Sequence, residues 1–101
     1  MEELVSLGKV LSDINRVKIF ALLKREKELC VCEICDTLEL SQPLVSRHLK
    51  MMRNTGFLVS RQTGKWILYS LVEHELLTPI LESVWQEAQT LPSLIKCSKT
   101  T

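Results

Sequence analysis

Three thiols fall within six residues, Cys30, Cys32 and Cys35 in the run Glu-Leu-Cys-Val-Cys-Glu-Ile-Cys. Sulfur donors select soft, thiophilic ions over hard ones. On a regular helix successive residues turn by about 100°, so Cys32 and Cys35 stand about 60° apart and Cys30 and Cys35 about 140° apart. Cys32 and Cys35 can share an ion as they stand. Cys30 joins them only from a non-helical approach or if the first turn unwinds, so binding acts on the geometry of the helix that carries the cluster. A position near a helix N-terminus is also expected to lower thiol pKa and favour the thiolate. A few residues on comes Ser-Gln-Pro-Leu-Val-Ser-Arg-His-Leu-Lys, a candidate DNA-reading helix. A soft-ligand cluster beside a DNA-reading element reads as a sensor.

Blander uses of the cysteines compete with this. Cys35 falls on an apolar face and, taken alone, is an ordinary small core residue. Cys32-x-x-Cys35 has the spacing of a redox pair, but such pairs belong near a βαβ pattern, which is absent here. A structural zinc site wants four ligands, and the remaining thiol is the distant Cys97. Four cysteines allow two disulfides, yet a reducing compartment and the helical, Gly-poor pattern argue for free thiols used as ligands or redox groups.

The elements that must position these groups follow from periodicity. The chain has 101 residues, 46% hydrophobic and 25% charged, which fits one small globular domain whose thin core would gain from dimerisation. The acidic start and the lack of a long uncharged apolar run predict no membrane span and no signal peptide, hence a cytoplasmic protein. Residues 2–11 carry Leu4, Val5, Leu7 and Leu11 at helical spacing, interrupted by Gly8. A second helix runs over 13–24, capped by Ser12 or Asp13, with Val17, Phe20 and Ala21 inward. Val31, Ile34, Cys35 and Leu38 give one buried face to a short helix over 31–38. Ser41 caps the next, Pro43 is tolerated in its first turn, Val45, Leu49 and Met52 face inward, and residues 54–56 stop it. Residues 57–61 and 66–71 are two strands around a Gln62-Thr63-Gly64-Lys65 turn. A last helix over 73–90 carries Leu77, Ile80, Leu81, Val84, Trp85 and Ala88, and Pro79 either falls early enough to be accommodated or bends it. The expected fold is mainly α with a β-hairpin wing, a winged helix-turn-helix in a homodimer, with residues 1–92 as the domain and 93–101 as a C-terminal tail.

Charge is distributed to match. Residues 40–72 hold no Asp or Glu but include Arg47, Lys50, Arg53, Arg61 and Lys65, while all 12 acids lie elsewhere. A basic segment in an acidic body is a footprint for polyanion binding. Ser41, Gln42, Ser46 and Arg47 open the second helix of the motif. Gln42, Ser46 and Arg47 are the candidate base readers in the major groove. Lys50, Arg53, Arg61 and Lys65 are candidate phosphate contacts, which supply salt-dependent affinity. His48 lies 60° from the Val45 and Leu49 stripe and reads as a hydrogen-bonded packing histidine.

At residues 28–35 and 41–56 the chain resembles the ArsR/SmtB family of winged-helix metal-responsive repressors. The resemblance rests on Glu-Leu-Cys-Val-Cys, Ser-Gln-Pro-x-Val-Ser-x-His-Leu and Gly-Lys-Trp in the wing. It implies a homodimer that represses a resistance operon and loses its hold on DNA when an inducer binds. Cys-x-Cys-x2-Cys on the first helix of the motif resembles the arsenite and antimonite class, implying Cys30, Cys32 and Cys35 as pyramidal ligands of As(III) or Sb(III), with no constitutive cofactor. Relatives' last-helix zinc site is not matched, since His74 is the one histidine there. The cadmium and lead branch adds thiols from an N-terminal extension, and here no cysteine precedes Cys30. The second helix often starts Asp-Pro in this family, and here Asp13 is followed by Ile14.

The expectation is thus a repressor and not an enzyme, with no catalytic residues, bound to double-stranded operator DNA. The alternative keeps the repressor fold and senses Cd(II), Pb(II) or thiol oxidation. A thiol oxidoreductase would leave the basic surface without purpose. An architectural DNA binder with merely packed cysteines predicts affinity indifferent to thiol reagents.

Overall fold

Asp13 begins the helix on which the rest of the molecule is assembled. Its backbone is extended and its carboxylate accepts the Asn15 N–H at 2.8 Å, satisfying one orphan donor of α2 (Ile14–Glu26). Ile19, Phe20, Ala21, Leu22 and Leu23 are all buried, five in succession, so α2 is covered all round along that stretch, while Ile14 and Lys18 before it are exposed. In the computed structural model, which describes residues 1–96, α2 packs against α1 (Glu2–Leu11), β1 (Glu28–Cys30), α3 (Val31–Leu38), β3 (Trp66–Leu71), α5 (Leu77–Ser83) and α6 (Trp85–Thr90). Between α3 and β3 come α4 (Gln42–Asn54) and β2 (Leu58–Thr63). Mainly helical, with a small antiparallel sheet, this is a winged helix-turn-helix. Among the described residues no helix is long and apolar enough to cross a membrane.

The sheet has three strands in the order β1-β3-β2, all antiparallel. Two of them are the expected hairpin. Gln62 and Thr63 belong to β2 and not to the turn, which shrinks to Gly64 and Lys65, with Gly64 at φ 60° in the first turn position. Positive φ at that position is what a tight hairpin asks of glycine. The third strand, β1, was not expected. Lys27, at φ 78°, turns the chain abruptly out of α2, and Glu28, Leu29 and Cys30 then pair with Ser70, Tyr69 and Leu68.

The expected last helix is corrected. It begins at Leu77, four residues later than residue 73, and is broken at Val84 into α5 and α6. Pro79 lies in the first turn of α5, where it is accommodated, so it does not cause the break. Leu77, Leu81 and Ala88 are buried as expected, whereas Trp85 is 42% exposed. The Arg25 guanidinium fastens the end of α6 and the residues after it, donating to the carbonyls of Ala88, Leu91 and Pro92 at 2.7–3.0 Å. Leu94 then packs on the core, and the Ile95 N–H donates to the buried Thr37 hydroxyl of α3 at 2.9 Å.

Candidate functional site

Cys30 ends β1 and is also the N-cap of α3, with φ −90° and ψ 165°. It therefore lies on the non-helical approach that the three-thiol geometry requires. Its N–H donates to the buried Glu33 carboxylate at 3.1 Å, and its side chain faces the Glu33 amide, the two arms of a capping box. Cys32 is half-buried in the first turn, and Cys35 lies one turn on, buried against the core. Cys30 and Cys35 are thiols, whereas Cys32 is disulfide-bonded, so three thiols together are a property of the reduced chain. Cys97 lies outside the described residues.

The cluster is not preassembled. Among the described residues no three Cys, His, Asp or Glu side chains are placed to hold one ion. Nor does Cys35 show the lowered pKa expected near a helix N-terminus. Burial pushes its thiol above the ordinary range, and the neighbouring Asp36 carboxylate acts in the same direction. A thiophilic ion that binds Cys35 must displace its proton, so such binding releases protons and strengthens as pH rises.

Backbone bonds join the cluster on both sides to the elements expected to face DNA. Cys30 sits in register with Leu68 of β3, the central strand of the wing. At the other end, the Cys35 carbonyl accepts from the N–H groups of both Glu39, in left-handed conformation at φ 56°, and Leu40, the latter at 3.0 Å. Glu39, Leu40 and Ser41 form the turn between α3 and α4, so the residue that carries the third thiol also anchors that turn.

On α4, Ser41 is the N-cap and its hydroxyl accepts the Leu44 N–H. Val45, His48, Leu49 and Met52 are buried, and Gln42, Ser46, Arg47, Lys50 and Arg53 are exposed on the other side. Arg53 also donates to the Ser60 hydroxyl at 3.2 Å, tying the end of α4 to β2. Lys65 is exposed at the hairpin turn. Arg61 differs from the other expected phosphate contacts: it donates twice to the Glu28 carboxylate, at 2.7 and 2.8 Å, reaching across β3 to β1. Lys50→Ala is therefore expected to flatten the salt dependence of DNA affinity by about one unit of log–log slope, and Arg61→Ala by much less. Anisotropy titrations across salt concentration check this, and equal slope changes would release Arg61 from its structural assignment.

Glu33, β1 and the Cys35 carbonyl were missed from sequence. A signal for the first existed in the N-cap-x-x-Glu spacing, concealed because cysteine is not a usual N-cap.

Residues 13–60 match the family model described as bacterial regulatory protein, arsR family. The arsenical resistance operon repressor of Escherichia coli K12 is 37% identical over 95 residues, covering 91% of this chain and 81% of that protein. The arsenic resistance transcriptional regulator ArsR1 of Pseudomonas putida KT2440 is 49% identical over 63 residues, covering 62% of this chain and about half (49%) of its own length. Among solved structures, HlyU from Vibrio cholerae superimposes with a TM-score of 0.74 at 28% identity, over 84% of this chain and 90% of that one.

Proposed function

Since this chain belongs to the arsR family of bacterial regulatory proteins, a family of DNA-binding, metal-responsive transcriptional repressors and not of enzymes, we propose that it represses an arsenic-resistance operon and leaves its operator when As(III) or Sb(III) binds Cys30, Cys32 and Cys35. The observation that carries this reading is the placement of the outer two thiols. Cys30 is bonded into the wing sheet and Cys35 carries the carbonyl that anchors the turn into α4. Drawing the three sulfurs together moves at least one of these attachments.

The donor set fits the inducer. Three thiolates suit a soft, pyramidal centre, and the residues nearby offer no fourth thiol among those described. Gathering them costs the capping box at Cys30 and Glu33, which opens the first turn of α3. Because α3 packs on α4, the change reaches the helix that carries Gln42, Ser46 and Arg47 as base readers and Ser41, Lys50, Arg53 and Lys65 around them. Residues 1–92 act as the DNA-binding and dimerisation domain, in the cytoplasm. Leu4 and Val5, each 59% exposed on α1, and Trp85 on α6 supply apolar surface for a second copy. Such a dimer would set two α4 helices about 34–36 Å apart on a pseudo-palindromic site.

X-ray absorption at the arsenic edge tests the ligand set. Reduced protein loaded with about one arsenite per chain is expected to show a shell of sulfur alone, about three atoms. A mixed shell of sulfur and oxygen would remove a cysteine from the set.

A further inference from the structure

We propose that Arg16 and His48 form a positioning clamp for the DNA-reading helix α4, and that the clamp holds only while the imidazole is neutral, which makes DNA affinity fall on acidification. The proposal rests on the DNA-binding reading above.

Arg16, in the first turn of α2, gathers three elements. Its guanidinium donates to the carbonyls of Lys9 and Val10 at the end of α1, at 2.9 and 2.8 Å, and to the Ser12 hydroxyl at 3.3 Å. Its remaining arm meets Nδ1 of His48, on α4, at 3.2 Å. One side chain thus fastens the C-terminus of α1 and the middle of α4 to the start of α2.

The chemistry of the pair fixes the proton. A guanidinium has donors and no acceptor, so the ring nitrogen it meets must carry a lone pair. His48 is therefore the neutral Nε2–H tautomer. The ring is 7% exposed, and Nε2 is a buried donor with no hydrogen-bond partner, the Asp13 carboxylate standing 3.9 Å away. Protonation would put an N–H on Nδ1, facing the donors of Arg16: the bond is lost and two cations are opposed. Among the described residues the charged groups around the ring are Asp13 and Arg16 from the α2 side and Arg47 on α4 itself. Burial, aided by Arg16 and Arg47 and opposed by Asp13, holds His48 below the ordinary histidine range.

A second proton on His48 thus comes at the expense of the contact that seats α4. The expected sign is unusual, because added positive charge ordinarily strengthens contact with phosphates. The chain has two histidines, so a pH profile in this range can be assigned to one or the other.

The test uses the whole reduced chain and a labelled duplex selected by it from a random-sequence pool. Nitrogen NMR of the imidazoles reads the tautomer without DNA, and anisotropy reads affinity at about pH 7.5 and about pH 5.5. Expected are the Nε2–H tautomer at His48 and affinity about twofold weaker at the lower pH. The His48→Asn variant, which keeps an acceptor near Nδ1 but cannot titrate, is expected to bind normally at the higher pH and to lose the pH dependence. The His74→Gln variant is expected to retain it. An Nδ1–H tautomer would overturn the clamp, as would wild-type affinity that holds or rises on acidification, or a His48→Asn profile matching the wild type. If the pool yields no bound duplex at either pH, the DNA-binding reading fails, and the tautomer alone decides the clamp.

Discussion

With Cys35 changed to Ser, the reduced protein is expected to bind a selected DNA duplex as tightly as the unaltered chain and to stay bound through an arsenite titration that clears the unaltered protein. Serine keeps the shape of the side chain but not the soft donor, and neither the Cys35 carbonyl that anchors the turn nor the amide bonds to it are altered. Coupling between an effector site and DNA is typically worth about a 5- to 150-fold change in affinity, and the variant should show about none of it. Because Cys35 is buried, 8% exposed, its hydroxyl replacement carries some cost in stability. Cys32→Ser controls for that: Cys32 is half-buried in the first turn, and the same loss of release is expected there without the core penalty. Circular dichroism confirms that both variants fold. Arsenite-driven release from either would dismiss the three-thiol switch. Linkage adds a reciprocal demand, that bound DNA weaken arsenite affinity by the same factor.

Leu49→Ala is expected to be among the most damaging single changes to α4, the proposed DNA-reading helix. Leu49 is fully buried on α4, between Val45 and Met52, in the core shared with Phe20, Leu22 and Phe57. Removing its isobutyl group loses transfer free energy and leaves a cavity, together about 2–5 kcal/mol. A domain of this size has about 5–15 kcal/mol in all. The melting temperature should fall by roughly 8–40 °C, at about 4–8 °C per kcal/mol. Thermal melts followed by circular dichroism measure it, and a fall of only a few degrees would mean that α4 is not seated on this core. Lys50→Ala, one residue on but exposed, should leave the melting temperature nearly unchanged.

What the sequence disclosed about the fold depended on how local its causes were. The limits of α3 and α4 were legible because their signals lie within a few residues of one another: the apolar spacing of Val31, Ile34, Cys35 and Leu38, the Ser41 cap, Pro43 in the first turn and the stop at Gly56. The hairpin was legible for the same reason. β1 was not, since three residues are too few to show alternation, and what makes them a strand is β3, some forty residues away. The break at Val84 is marked by neither Gly nor Pro, and the apolar spacing runs straight through it. Arg25 holding the carbonyls at Ala88 and beyond is a tertiary effect that no local pattern carries.

The candidate site divides the same way. Which residues of α4 face outward followed from helix geometry, as did the need for Cys30 to approach from outside the helix. Arg61 was read as a phosphate contact because its segment holds no acid, yet its partner Glu28 lies on another strand, 33 residues earlier. The expectation of a lowered thiol pKa took Cys35 as near a helix end, where burial and Asp36 instead decide.

The measurement that bears most directly on the central claim is the anisotropy of a labelled duplex on the reduced wild-type protein, titrated in separate runs with arsenite, zinc and cadmium. A soft three-thiol switch predicts release by arsenite at about one equivalent per chain and retention under zinc. Release by zinc or cadmium with retention under arsenite would keep the repressor and contradict the assignment of Cys30, Cys32 and Cys35 to a trivalent metalloid.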